Sequence, residues 1–188
     1  MKRTARAVIG MVVLAGALSG CASGTPSSSD VQTAPTNVVA PTTPKPVPKP
    51  AGKTVLRMDG ALTRSNVGKG VAFDQKTLDG MSTATATIFE PFVKKDIQFT
   101  GVPMSDLLTR AGVAPTAERV YLHALDDYKV DFKVSDLMAP GVLLATKADG
   151  APIPLGKGGP IRLVFPPDAP AGKNKDLWIW SIDTMTIR

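Results

Sequence analysis

The sequence has only one cysteine, Cys21, and one histidine, His123, among 188 residues. A single thiol permits no intramolecular disulfide framework and no zinc cluster of paired cysteines. The N-terminal pattern described below predicts that this thiol carries a lipid anchor, so no cysteine nucleophile is expected either. A single histidine also excludes a metal site built on two histidines. We therefore predict no metal site in the folded part of the chain.

Aromatic residues are scarce as well, with two Trp and two Tyr in the chain. The net charge of +6 does not indicate nucleic-acid binding, because four of these charges come from the first 52 residues and the rest of the chain is only mildly basic. No basic run with interleaved aromatics is present. The charged residues of that first part are Lys2, Arg3, Arg6, Lys45, Lys49 and Asp30.

The N-terminus is typical of an export signal. Basic residues precede an apolar stretch from Ala7 to Leu18, which is too short to span a bilayer as a helix. Leu18-Ser19-Gly20-Cys21 resembles the bacterial lipobox, which implies diacylation of the Cys21 thiol and cleavage before it. The alternative is an ordinary signal peptide cut nearby. We predict a lipoprotein signal peptide over residues 1–20 and a protein exported and anchored to a bacterial membrane.

Residues 21–52 hold the predicted anchor and a linker rich in proline, serine and threonine, with few bulky apolar residues. Such a composition favours an extended, solvated stalk. Residues 53–188 have the size of one domain. This domain is expected to stand clear of the lipid headgroups, facing the periplasm or the cell exterior.

Apolar residues in the domain recur mostly with period two, which predicts short strands. A helix is predicted over 102–112 from Pro103 in its first turn and Gly112 as its stop, and a shorter one over 135–138 with Ser135 as its cap. The fold class is therefore mainly β with a few short helices (α+β), as a sandwich or partial barrel. The predicted strands are 54–58, 83–88, 96–100, 119–124, 129–133, 142–146, 161–165 and 178–187.

Several segments occur together in an order that is recognisable. They are Phe99–Leu108, Leu125–Phe132, Val142–Ala145, Asp149–Ile153, Gly158–Pro166 and Leu177–Ile182. Phe99–Leu108 contains Gly-Val-Pro at a strand-to-helix junction, and Gly158–Pro166 contains Gly-x-Pro-x-Arg-x-Val-x-Pro. In this order the segments resemble the oxidoreductase molybdopterin-binding domain, the fold of sulfite oxidase and its bacterial relatives.

The resemblance implies a molybdenum centre held by a cysteine thiolate on a loop before the Gly-Val-Pro helix. The matching segment, 84–92, has no cysteine. Hydroxyls at Thr85 or Thr87 do not replace a soft, deprotonated sulfur. We therefore expect no cofactor, and molybdopterin is implied by the family resemblance alone.

Cationic residues indicate an anionic ligand in place of the cofactor. Lys157 stands where the larger enzymes often have a pterin-contacting histidine, and Arg162 matches the signature arginine. Together with Lys173 they suit a phosphate or carboxylate. In the alternative interpretation Arg162 pairs with a carboxylate such as Asp126 or Asp127, and the lysines are solvated loop residues. The Gly-rich segment 156–160 is predicted to form a hairpin.

The remaining candidate residues complete a predicted cleft. It is formed by the 85–92 loop, which includes Phe89, by Asp127 and Tyr128, and by the 157–162 hairpin. His123 is either a structural strand residue or a general acid or base beside the aspartates. The two tryptophans, 178 and 180, are placed on one face of the last strand, with 178 in the core.

Three functions remain open. The first is a non-catalytic or cofactor-free binding module for a small anionic ligand. The second is a periplasmic or otherwise extracytoplasmic oxidoreductase, or its subunit, that binds molybdopterin without cysteine ligation. The third is a cell-envelope interaction domain. Bound metal would distinguish the oxidoreductase from the binding module. An open cleft lined by charged or polar groups would distinguish the binding module from the interaction domain.

Overall fold

A computed structural model of the protein describes residues 44–188. The predicted signal peptide, Cys21 and most of the predicted linker lie outside this range. The strands are β1 (Thr54–Gly60), β2 (Val71–Asp74), β3 (Ala84–Glu90), β4 (Lys95–Pro103), β5 (Arg119–Ala124), β6 (Lys129–Lys133), β7 (Leu143–Ala148), β8 (Ala151–Pro152), β9 (Arg162–Val164) and β10 (Ile182–Ile187). The helices are α1 (Gln75–Met81), α2 (Met104–Ala111) and α3 (Val134–Leu137), and short 3₁₀ turns are formed by Leu155–Lys157, Pro170–Lys173 and Lys175–Leu177.

The strands form two sheets. The first has the order β2-β1-β10-β5-β6, with β1 and β10 parallel and the other pairs antiparallel. In the second, β3, β4 and β7 are neighbours, and β8 and β9 both pair with the far edge of β7. The prediction of a mainly β fold is confirmed, and over residues 44–188 the sheets do not close into a barrel.

In the first sheet, strict alternation of buried and exposed residues explains why β5 and β6 form strands. On β5, Val120, Leu122 and Ala124 are buried while Tyr121 and His123 face outward. The inward residues of β6 lie opposite them in register, so the two strands bury one continuous apolar face. Full burial of one large apolar side chain stabilises the fold by about 1.5–3 kcal/mol. Both strands begin and end where the sequence predicts.

Helix α2 follows the signals at its ends. Pro103 directly precedes its first residue, Met104, and so lies just outside the first turn in which the sequence placed it. Asp106 lies in the positive first turn, and Gly112 ends the helix in the left-handed region with φ of 75°. Leu107 and Leu108 are buried against the sheets. The predicted helix is therefore confirmed. For α3 the predicted cap is wrong, because Ser135 lies inside the helix, which begins after Lys133.

Three elements are absent from the sequence prediction: β2, α1 and the two-residue strand β8. All four residues of β2 are buried, so the strand has no apolar alternation. Its last residue, Asp74, caps α1 by accepting a hydrogen bond from the backbone N–H of Thr77 at 2.8 Å. Hydrogen bonds from Thr77 and from the backbone of Gly52 hold the pKa of Asp74 well below its usual range.

The last part of the predicted linker packs on the domain. The Arg64 guanidinium donates to the carbonyl of Pro44 at 3.1 Å, and the Asn66 amide donates to that of Pro48 at 2.8 Å. Both carbonyls belong to a proline-rich stretch, and proline has no backbone N–H. The stretch therefore binds the domain by accepting hydrogen bonds at its carbonyl oxygens. Within residues 44–188 no helix is long and apolar enough to cross a membrane.

Candidate functional site

A cleft of about 360 Å³ lies beside the second sheet. We call it the Arg162 cleft. It is bounded by the end of β3 and the start of β4, by the loop 151–157, and by Arg162 and Trp180. A larger hollow of about 430 Å³ lies on the outer face of the first sheet around His123. The Arg162 cleft is the stronger candidate site because it has fully buried ionised groups at its inner end.

Arg162 and Glu90 form a buried ion pair in this cleft. The Arg162 Nη2 donates to Glu90 Oε1 at 3.0 Å, with the two side chains 4% and 0% exposed. Burial lowers the pKa of Arg162, and the hydrogen bond to Glu90 opposes that effect. A guanidinium remains protonated in proteins, so the pair consists of two opposite charges. The alternative interpretation, in which Arg162 pairs with a carboxylate, is therefore confirmed, but the carboxylate is Glu90 and neither Asp126 nor Asp127.

The second oxygen of Glu90 is also occupied. Its Oε2 accepts the backbone N–H groups of Phe92 at 3.0 Å and Val93 at 2.7 Å. Both donors lie in the turn between β3 and β4, which folds back over the end of β3. The carboxylate is thus fixed by three charge-assisted hydrogen bonds, the stronger class of hydrogen bond in proteins.

Trp180 stacks on the ion pair. The Arg162 guanidinium carbon lies 4.2 Å from the centroid of the Trp180 ring, a cation–π contact. The edge of Phe92 packs against the same indole, with ring centroids 5.1 Å apart. Trp178 contributes from a greater distance, 6.0 Å from the guanidinium. The charged group is therefore enclosed by aromatic rings.

Two buried donors in the cleft lack an acceptor. Neither Arg162 Nε nor Trp180 Nε1 has a hydrogen-bond partner among the described residues. By contrast, Trp178 Nε1 donates to the carbonyl of Gly172 at 3.2 Å. A buried N–H without an acceptor costs about 1–3 kcal/mol, so most such groups in proteins find one. Both atoms are almost completely buried, so this cost falls on the inner end of the cleft itself.

The loop over the cleft is not the predicted hairpin. Both β8 and β9 run antiparallel to β7, so the chain leaves the edge of β7, forms the 3₁₀ turn 155–157 and returns to the same edge. Gly159 permits a close approach, since a Cβ there would lie 1.8 Å from the carbonyl oxygen of Ile153. Lys157 ends the turn and its exposed side chain lines the cleft.

Of the predicted site residues, only Lys157 and Arg162 line this cleft. Thr85, Thr87 and Phe89 are exposed on the opposite face of β3, because neighbouring residues of a strand point to opposite sides. Thr85 instead shares a hydrogen bond with the Thr100 hydroxyl, at 3.1 Å. The residue of this segment that enters the cleft is Glu90, which the alternation of β3 places on the inward side.

His123 lies on the first sheet, between two carboxylates. Its Nδ1 is 2.8 Å from Asp183 Oδ1 and its Nε2 is 3.1 Å from Asp127 Oδ1. Asp183 is the main cause of a pKa raised above the ordinary histidine value. The predicted neighbour Asp127 is confirmed, and Asp183 is an additional partner. This cluster faces the larger hollow and does not line the Arg162 cleft.

The other predicted residues are distributed around the domain. Tyr128 donates its hydroxyl to the carbonyl of Asp176 at 2.6 Å and lines a small hollow that shares Trp180 with the cleft. Lys173 lies in the 3₁₀ turn Pro170–Lys173. Trp178 is buried as predicted, but both tryptophans precede β10, which begins only at Ile182.

The comparison of the sequence with known families identifies the chain. The family described as oxidoreductase molybdopterin binding domain matches residues 75–186. The chain belongs to this family. The match covers both sheets except β1, β2 and the last residue of β10, and it includes every residue named in the Arg162 cleft. The resemblance seen in the sequence motifs is thereby confirmed.

A solved structure supports the same fold for this molybdopterin-binding-type domain. The sulfane dehydrogenase SoxCD from Paracoccus pantotrophus matches with a TM-score of 0.55 and 22% sequence identity, over 70% of this chain and 37% of that chain. The chain thus spans little more than a third of the SoxCD chain. At this identity the likeness concerns the fold. A search of curated proteins finds no match.

The family membership raises the question of whether the cleft fits a molybdenum centre. Residues 44–188 contain no thiol, and Thr85 and Thr87 point away from the cleft. Glu90 is the buried carboxylate, but Arg162 and two backbone N–H groups already occupy both of its oxygens. In the same range no group of three His, Cys, Asp or Glu side chains is arranged to hold a metal ion. The residues present do not fit molybdenum ligated by the protein.

Proposed function

We propose that the protein is a membrane-anchored extracytoplasmic lipoprotein whose domain acts as a cofactor-free binding module. The domain keeps the molybdopterin-binding fold and uses the Arg162 cleft for a small ligand. The observation that carries this proposal is the Glu90–Arg162 pair, which occupies the inner end of the cleft with no ligand atom for molybdenum.

The anchor is supported by the order of features before the domain. A basic start, a short apolar stretch and small residues lead directly to Cys21, the single cysteine of the chain. Each buried methylene of an acyl chain contributes about 0.8 kcal/mol to membrane binding, so diacylation anchors a protein without a spanning helix. Residues 22–43 connect this proposed anchor to the described domain.

The cofactor-free role is supported by the cost of converting the cleft to a metal site. Glu90 would have to leave Arg162 to ligate a metal, and a buried guanidinium would then be left unpaired. Breaking a buried ion pair costs about 3–5 kcal/mol. A thiolate from Cys21 is not available in this proposal, because the acyl chains use that sulfur.

The test is the cofactor content of the full-length protein produced in a bacterium that makes molybdenum cofactor. The protein is extracted from membranes, and molybdenum is measured by mass spectrometry and pterin by the fluorescence of its oxidised derivative. A cysteine-ligated member of the family, produced in parallel, shows that the host loads cofactor. We expect less than about one-tenth equivalent of either component. Near-stoichiometric molybdenum and pterin would refute the proposal and favour an oxidoreductase without cysteine ligation.

A second candidate function is an envelope interaction domain. It is favoured by exposed apolar side chains near the mouth of the cleft, where Phe92, Val93 and Leu155 are 49%, 54% and 64% exposed. Contiguous exposed apolar residues often mark protein contacts. Crosslinking in intact cells from a photoreactive residue at position 155 tests this function. A single envelope protein crosslinked there, and not from position 80 on α1, would support it.

A further inference from the structure

The turn between β3 and β4 carries exposed apolar side chains on a backbone whose N–H groups are all engaged. Phe92 and Val93 are 49% and 54% exposed, and their N–H groups donate to the Glu90 carboxylate. The N–H of Lys94 donates to the carbonyl of Glu90 at 2.8 Å. The remaining residue of the turn, Pro91, has no N–H. The turn therefore presents apolar side chains without a free backbone donor.

A second apolar projection lies on the loop 151–157. Its residue Leu155 is 64% exposed, the most exposed large apolar side chain of residues 44–188. The loop and the β3–β4 turn border the same cleft, since Val93 lines it together with Gly156 and Lys157, which follow Leu155. Exposed apolar side chains from two loops thus flank one cleft.

The same two loops carry positive charge. Lys94 in the turn and Lys157 in the loop are both exposed. Lys95 is exposed as well, but it lies 3.7 Å from the Asp149 carboxylate, which balances its charge. Asp96 points to the opposite face of β4 from Lys95, because neighbouring residues of a strand alternate. Two lysines without a paired carboxylate among residues 44–188 therefore accompany the apolar side chains.

We propose that this surface docks on the membrane to which the protein is anchored. The docking surface consists of Phe92, Val93, Leu155, Lys94 and Lys157. The apolar side chains enter the boundary between headgroups and acyl chains, and the lysines contact anionic headgroups. The inference rests on the proposed function, because the acyl anchor brings the domain to the bilayer. It differs from the expectation that the domain stands clear of the headgroups.

The composition of the surface favours lipid over a protein partner. Lysine is depleted in protein–protein interfaces, whereas surfaces that bind the membrane interface combine lysine with Phe and Leu. The engaged N–H groups of the turn matter most in lipid, since acyl chains offer no acceptor to a free backbone donor. For an anchored domain the contact is intramolecular, so a small surface is sufficient.

The test measures whether Leu155 lies in lipid. A nitroxide label is attached to a cysteine introduced at position 155 of the full-length protein in nanodiscs of phosphatidylcholine and phosphatidylglycerol. Acylated Cys21 does not react with the label. Collisions with oxygen, which concentrates in lipid, are compared with collisions with a nickel chelate, which stays in water. The control label is at position 80 on α1, beyond the end of β3 that is opposite the turn.

We expect the label at position 155 to collide more with oxygen than with the chelate, and the label at position 80 to show the reverse. In nanodiscs of phosphatidylcholine alone, the label at position 155 should become more accessible to the chelate, because the lysines lose their anionic partners.

The lysines are tested by a double variant, Lys94→Gln with Lys157→Gln. A lysine near an anionic surface strengthens binding about fivefold, so the ratio of docked to undocked protein should fall about 25-fold. The matched control, Lys69→Gln with Lys76→Gln, removes the same charge from exposed positions that do not line the cleft, and should leave the ratio unchanged.

Equal chelate accessibility at positions 155 and 80 would overturn the docking, and so would equal effects of the two double variants. A label at position 155 that stays in water while the same position crosslinks to an envelope protein would replace lipid with a protein partner. The acyl chains on Cys21 are measured by mass spectrometry in the same preparation. Acylated protein with a water-exposed label refutes the docking alone, whereas protein without acyl chains refutes the proposed anchor.

Discussion

Removal of Arg162 is the perturbation whose effect the structure fixes most clearly. In the Arg162→Met variant, Glu90 keeps its two backbone N–H donors but loses its counterion at a site where it is 0% exposed. Breaking a buried ion pair costs about 3–5 kcal/mol, and the remaining hydrogen bonds place the expected loss near the lower end, at about 3 kcal/mol. This is a large fraction of the stability of a typical domain, which is about 5–15 kcal/mol.

The matched control is Arg57→Met. Arg57 pairs with Asp59 at 2.8 Å, but the two side chains are 49% and 35% exposed, so its removal should cost about 0–1 kcal/mol. Both variants are unfolded in urea at neutral pH, and the free energy of unfolding is obtained by linear extrapolation. A loss for Arg162→Met that is no larger than for Arg57→Met would refute the view that the buried pair organises the cleft.

Three further predictions concern other parts of the chain. Gly101→Ala should destabilise the domain by about 2–3 kcal/mol in the same assay, because the added Cβ would lie 2.2 Å from a backbone oxygen of β7. The control, Gly80→Ala on α1, meets no atom within 4 Å and should stabilise the domain by about 0.5 kcal/mol. Equal effects of the two variants would contradict the close pairing of β4 with β7. In an NMR titration the pKa of His123 should be lower in the Asp183→Asn variant than in the unmodified protein, and an unchanged pKa would exclude Asp183 as the cause of the shift. Because the pKa of His123 in the folded protein is raised above 6.5, the stabilisation from this pair is complete below pH 6.5 and is lost as the pH rises through the raised value. Cys21→Ser should move the protein from the membrane fraction to the soluble fraction and abolish labelling by a palmitate analogue, whereas continued membrane recovery without label would contradict the anchor.

The strands of the first sheet could be predicted where one face meets the core and the other meets water. On β5 and β6 this alternation marks each residue, and both strands match the prediction at each end. The same reasoning missed β2, since a strand buried on both faces has no period. It also extended the last strand too far, because the apolar residues around Trp178 pack as 3₁₀ turn and loop before β10 begins.

The candidate site could be predicted only in part. The sequence motifs indicate Arg162 and Lys157, and both line the cleft. The partner of Arg162 is 72 residues earlier in the chain, and only the pairing of β3, β4, β7 and β9 brings it close. The alternation of buried and exposed residues along β3 decides that Glu90 points inward and Thr87 outward, whereas the family resemblance implies a ligand loop in this segment. The glycines at 158 and 159 are equally compatible with a hairpin and with the observed loop, which forms a 3₁₀ turn and returns to the same edge of β7.

The most direct test of the cofactor-free cleft is a crystal structure of the protein produced with molybdenum cofactor synthesis active, with anomalous diffraction measured at the molybdenum edge. The account predicts no anomalous peak in the Arg162 cleft and an intact contact between Arg162 and Glu90 near 3.0 Å. A molybdenum peak in the cleft, with the Glu90 carboxylate turned away from Arg162, would contradict it.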